Sequence, residues 1–219
     1  MVSAADKRKA AQLNEIGLLH YRHWEIADAI EALSQAAAID PEQPDHHLNL
    51  ARALIRAGDY EGTMRALGDF LRVESDAALI ERFERLFGNV MDEVETCLTE
   101  VMIQHDLPLE MIGASIQMWM EYRIALGRHA LDTSDPALWA AALDLTIRKV
   151  NFREVPLRQL AEWYGVQPAQ VRKQHLELVK TLDIMPCDYR YFRSTPNPLD
   201  KLVEAASMLE ELEERFQKI

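Results

Sequence analysis

The chain has 219 residues, 48% of them apolar, with 8 glycines and 9 prolines and a formal net charge of −12. A composition of this kind supports a packed core and argues against a globally disordered chain. The acidic balance also argues against a protein that coats nucleic acid with its whole surface. Good helix formers dominate, and no alternating run of β-branched residues reads as a strand, so the expected class is all-α. Residues 1–9 are polar and lack the apolar core of a secretory signal, and no apolar run approaches the roughly 20 residues that span a bilayer. Cys97 and Cys187 lie far apart and read as free thiols. The expected compartment is the cytoplasm, with no membrane contact.

An internal repeat comes first along the chain. Leu13-Asn14-Glu15-Ile16-Gly17 and His47-Leu48-Asn49-Leu50-Ala51 align 34 residues apart. In the same register Gly17 meets Ala51, Ile26 meets Tyr60, Ala29 meets Thr63, Leu33 meets Leu67 and Ala36 meets Phe70. Small residues at Gly17, Ala29 and Ala51 allow close helix approach, and large ones at Ile26, Leu33 and Tyr60 are expected to fill the space between helices. Asp40-Pro41 separates the repeats, and Gly58-Asp59 turns the second hairpin. This pattern, over residues 10–74, resembles the tetratricopeptide repeat family. It departs at Trp24, where the turn usually has Gly, and at Thr63, where Ala is usual.

The resemblance implies a concave groove lined by the first helix of each repeat. The expected lining is Asn14, Leu18 and Tyr21, then Asn49, Arg52 and Arg56. Some members grip a C-terminal carboxylate through Lys and Asn; here Asn14 and Leu18 stand at those places and only Asn49 matches, so that clamp is not expected. A plain solvated helix face is the alternative. No third copy follows, because Arg85 falls where a small residue is needed. Ser75-Asp76 instead caps a helix from Ala77, whose Leu79, Ile80, Phe83, Leu86 and Phe87 are expected to cover the second repeat.

Beyond residue 89 the repeat pattern ends. A helix over 90–105 places Val90, Val94, Cys97, Leu98 and Val101 on one face, and Asp106-Leu107-Pro108 breaks it. A helix over 109–126 carries Met111, Met118 and Met120, read as core filling in preference to a soft binding surface. Asp135-Pro136 starts a helix to 150, Pro156 a short one to 164, and Gln167-Pro168 a last one to about 182. Ala161, Gly165, Val166 and Val171 have helix-turn-helix spacing. The second helix of that pair offers Gln170, Arg172, Lys173 and Gln174, with Arg158 on the first, all types that reach phosphates or base edges. The stretch 90–183 resembles a single cyclin box, the five-helix unit of cyclins and transcription factor B. Trp139-Ala140-Ala141-Ala142-Leu143, 155–161 and 171–178 carry that likeness, which is one of pattern; a plain helix-turn-helix bundle is the competing reading.

Charge is uneven. Residues 1–145 hold 12 basic and 25 acidic side chains, whereas 146–194 hold 9 and 5. The basic segment suits a nucleic-acid surface or, alternatively, a face that docks on an acidic protein. Asp188-Tyr189-Arg190-Tyr191-Phe192-Arg193 interleaves rings and arginines, suiting either base stacking or packing on its own domain. Asn197-Pro198 begins a final helix. Its stripe of Leu202, Ala206, Leu209, Phe216 and Ile219 suits packing back on the chain or forming a homodimer.

His20, His23, His46 and His47 lack partners at zinc spacing, and no phosphate-cradling loop or nucleophile elbow occurs. No enzyme, metal site or cofactor is expected. The reading is therefore two repeat hairpins with a capping helix (1–88), a five-helix cyclin-like or helix-turn-helix bundle (89–195) and a C-terminal helix (196–219). Its leading function is a protein-binding adaptor; the second is a DNA-binding regulator reading through 156–182.

Overall fold

The computed structural model describes residues 2–88 and 90–194. All regular structure in them is helical: α1 (Ala4–Arg22), α2 (Ile26–Ile39), α3 (Pro44–Ala57), α4 (Tyr60–Val73), α5 (Ala77–Glu84), α6 (Glu93–Gln104), α7 (Leu109–Ala125), α8 (Pro136–Val150), α9 (Leu157–Trp163) and α10 (Pro168–Leu182). No described helix is long and apolar enough to cross a membrane. Cys97 and Cys187 are free thiols. The expected final helix over 196–219, with its homodimer stripe, lies outside the described residues.

The chain divides into two compact units. The first runs through Asp92 and takes back Trp119–Thr133; the second comprises Glu93–Met118 and the described residues from Ser134 on. The passage from the second unit back to the first falls inside the continuous helix α7.

In the first unit α1/α2 and α3/α4 form two hairpins. At Gly17 α1 and α2 approach closely. A Cβ there would lie 2.5 Å from Leu33 Cγ, so only glycine admits the buried Leu33 side chain. Gly58 takes φ +79° to end α3, and Asp59 Oδ1 accepts from Gly62 N at 2.8 Å to start α4. Thr63 is tolerated where Ala is usual because its hydroxyl donates to the Asp59 carbonyl at 2.6 Å. Tyr60 differs from expectation. At the first position of α4 it stands at the end of the hairpin and is 39% exposed instead of filling the core.

Asp76 Oδ1 accepts from the amides of Ala78 and Leu79, starting α5 as expected. Leu79 and Phe83 then join Leu48, Ala51, Leu54, Leu67 and Phe70 in one core, with Phe83 edge-on to Phe70 at 5.2 Å. Ile124, from the end of α7, enters the same core. Arg82 donates to the carbonyls of Gly127 and His129, and Arg128 pairs with Asp45 and with Glu74, each at 2.6 Å. Burial alone would raise the Glu74 carboxyl, but the Asp76 and Ser75 amides and Arg128 hold it below its ordinary value.

The second unit is built around α8, whose residues from Trp139 to Arg148 are all buried. Asp135 caps it through Leu138 N at 3.1 Å. Met111 and Met118 are buried, as a core role requires. Val90 is 86% exposed and precedes α6, which begins at Glu93; it is not on the apolar face expected of it. Residues 184–194 fold back as an ordered tail. Asn151 ties them down, donating to Tyr191 O and accepting from the amides of Arg193 and Ser194. Tyr191 is fully buried, and Arg190 is buried against Asp188 at 2.8 Å. Those two side chains are therefore spent on packing and not offered to single-stranded bases.

Candidate functional site

The contacts Asn14–Asn49 and Tyr21–Arg56 both join residues 35 apart, so α1 and α3 run side by side in the same direction. Five of the six expected lining residues meet along this shared face. Asn49 Nδ2 donates to Asn14 Oδ1 at 3.0 Å, and Arg52 Nη1 donates to Asn49 Oδ1 at 3.1 Å. Arg52 and Arg56 both approach the Tyr21 ring, with Cζ at 5.4 and 4.2 Å from its centroid. Leu18 is half-buried on the same helix and stands outside the polar ladder.

The face is more packed than an open solvated groove. Asn14, Tyr21 and Arg56 are buried, while Asn49 and Arg52 are half-buried. Gly127 borders it: a Cβ on that residue would lie 3.8 Å from Arg52 Cδ. Sequence periodicity carries no sign of this neighbour, because it comes from a segment 75 residues further on. Trp24 is a second participant that the repeat register does not include. Its ring lies 4.6 Å from Arg56 Cζ, and its backbone takes φ +64°, the left-handed region that makes glycine usual at this turn. The departure from glycine at Trp24 was the signal.

Near the same turn, the side chains of His20, Glu25 and Asp28 place donor atoms within 4.8 Å of one another. His20 Nδ1 is already engaged by Glu25 at 2.5 Å. His47 donates Nε2–H to Pro41 O at 2.8 Å, and burial pushes the His46 imidazole below its ordinary value, Asp40 pulling the other way and His47 reinforcing burial.

These hairpins have a counterpart among known families. Residues 25–79 match the tetratricopeptide repeat. The match takes in α2, α3, α4 and the start of α5, overlapping the 10–74 stretch read from the repeat pattern and leaving α1 outside. Repeats of this family generally mediate protein–protein interaction and are generally non-catalytic. Neither the curated proteins nor the solved structures contain a match to this chain.

In the second unit α9 and α10 flank a turn at which Gly165 takes φ +67° and Val166 N donates to Ala161 O at 3.0 Å. Ala161 and Val171 are buried where the helices meet. Arg158, Gln170, Arg172 and Lys173 are exposed and Gln174 is half-exposed. Asp144 anchors the pair to α8. Its carboxylate accepts from Arg148 Nε at 2.6 Å and from Tyr164 Oη at 3.0 Å. Burial pushes the Asp144 carboxyl up against the pull of Arg148 and Tyr164; burial and then Asp144 push the Tyr164 phenol up. Trp163 stacks on His105 at 3.7 Å and lies under Arg148. Arg148 and Arg190, both counted as basic surface in the sequence, are buried and neutralised by aspartates.

Proposed function

We propose that this protein is a non-catalytic adaptor whose repeat unit binds a segment of a protein partner along the face shared by α1 and α3, while the second unit engages another partner. The observation carrying this reading is the polar ladder from Asn14 through Asn49 to Arg52, whose α3 members lie in the stretch that matches a repeat used for protein contact. Half-buried amide and guanidinium groups of this kind supply directional hydrogen bonds to a peptide backbone or side chain. The test is affinity capture from host lysate with the wild type and with Asn49→Ala/Arg52→Ala. Loss of captured partners in the variant is expected. An unchanged set of partners sinks the assignment of this face.

A second reading rests on a separate observation, the exposed Arg158, Gln170, Arg172 and Lys173 on α9 and α10. In it the second unit is a helix-turn-helix or cyclin-like module and α10 reads duplex DNA, the repeats serving as a sensor or dimerisation platform. Mobility shift against pooled genomic fragments separates the two readings, since the adaptor retains no DNA.

A further inference from the structure

We infer that Arg56, with Arg52 one turn away on α3, is an anchor for a carboxylate from an acidic segment of a partner protein. The inference rests on the adaptor reading and names the chemistry of the partner at that face. Arg56 is 5% exposed, and among the described residues its guanidinium makes neither an ion pair nor a hydrogen bond. What it has are two aromatic rings, Tyr21 at 4.2 Å and Trp24 at 4.6 Å from Cζ. Cation–π contacts contribute less than the desolvation of a buried ion costs. The rings therefore hold and orient the cation without balancing it. Among the described residues the other buried arginines each have a carboxylate: Arg148 has Asp144 and Arg190 has Asp188.

Three further features converge on Arg56. Arg52 approaches the same Tyr21 ring, and its Nε–H is likewise without an acceptor. Two guanidiniums on one ring make the site locally positive in a part of the chain where acidic side chains outnumber basic ones 25 to 12. Trp24 occupies a left-handed backbone position that L side chains disfavour, and its ring is one of the two that lie on Arg56. Strain of that kind persists where the side chain has work to do.

A guanidinium fixed by its faces has only its edge to offer, and a carboxylate meets that edge with two parallel hydrogen bonds. Phosphate shares the acceptor chemistry. The acidic surroundings repel an extended polyphosphate backbone more than a single carboxylate, which favours an acidic protein segment.

The test uses the full chain with arginine Nε–H signals followed by NMR during titration with an acetylated, amidated peptide carrying one glutamate flanked by glycines and serines. The peptide has no free C-terminal carboxylate, so binding reports side-chain carboxylates. Saturable shifts at Arg56 and Arg52, with at least tenfold weaker binding in Arg56→Met and in Arg56→Lys, are expected; Lys keeps the charge but loses the planar edge. Arg56→Met is also expected to melt at or above the wild-type temperature, since an unbalanced buried charge is removed. A clear drop in melting temperature would make Arg56 a structural strut and overturn the inference. So would the absence of shifts at Arg56, or tighter displacement of the peptide by single-stranded DNA. If Asn49→Ala/Arg52→Ala loses partners in lysate capture while Arg56→Met keeps them all, the carboxylate anchor fails and the adaptor reading stands. If both variants keep every partner, both fail.

Discussion

Single residues set the tolerances of both units. Gly17 is a tight case: a methyl group there meets Leu33 Cγ at 2.5 Å and the Ala29 carbonyl at 3.2 Å, so Leu33 or the α1–α2 spacing must give to admit it. Gly17→Ala is expected to lower stability by about 1–3 kcal/mol by urea denaturation, even though alanine favours the helix. An unchanged or higher midpoint would show that the hairpin does not depend on this close approach. His175 is the counterpart in the second unit. The Thr146 hydroxyl gives its one proton to Ala142 O at 2.6 Å, leaving its oxygen to accept Nδ1–H of His175 at 2.8 Å. Burial, helped by the charge of Lys149, pushes the imidazole down to about 4. A histidine held neutral in the fold and free to protonate when unfolded contributes stability that is complete above its ordinary value of 6.5. That contribution falls as pH drops from 6.5 towards 4, by on the order of 3 kcal/mol. His175→Gln is expected to flatten that part of the stability profile, read from urea midpoints at pH 7, 5.5 and 4.5. The same slope in the variant would assign the pH dependence to other groups.

At the scale of elements, local signals were the readable ones. Asp76 and Asp135 mark helix starts, Gly58 and Gly165 mark turns, and the small residues at Gly17, Ala29 and Ala51 mark helix crossings; each acts through its own neighbours in the chain. What closes the repeat unit was not readable. Ile124 reaches the core from the end of α7, and the Gly127 and His129 carbonyls receive Arg82, contacts that join residues more than 40 apart and leave no periodic trace. The candidate site shows the same split. Its α1 and α3 members follow from the repeat register, while Gly127 beside Arg52 does not. Tyr60 and Val90 were misplaced because each sits at or outside a helix end, where periodicity stops predicting which way a side chain faces. The capping role of α5 gives a direct test. Phe83→Ala removes a ring packed on Phe70 and is expected to cost about 3–5 kcal/mol, whereas Phe87→Ala, exposed in the 3₁₀ turn that follows, stays within about 0.5 kcal/mol. Equal losses in chemical denaturation would mean that α5 does not cap the repeats.

For the whole molecule, the distribution of charge separates the two functional readings better than its sum. With Arg148 and Arg190 neutralised inside the second unit, the exposed basic side chains of that stretch are Lys149, Arg153, Arg158, Arg172, Lys173, Lys180 and Arg193. On α10, Arg172 and Lys173 are flanked by the exposed Leu176, an apolar residue that a phosphate backbone leaves uncompensated and a protein surface covers. Salt resolves the matter, because DNA binding through phosphates releases counterions and weakens by about 0.9 decade in affinity per phosphate for each decade of salt. If α10 reads duplex DNA, Arg172→Ala/Lys173→Ala is expected to lower that slope by about 2 and weaken binding on every sequence, with Gln170→Ala acting on some sequences more than others. If the basic face serves a protein, Leu176→Ser weakens the interaction as much as the loss of the two charges, and no duplex is retained even at low salt. Binding isotherms at three salt concentrations for these variants decide between a slope and a patch.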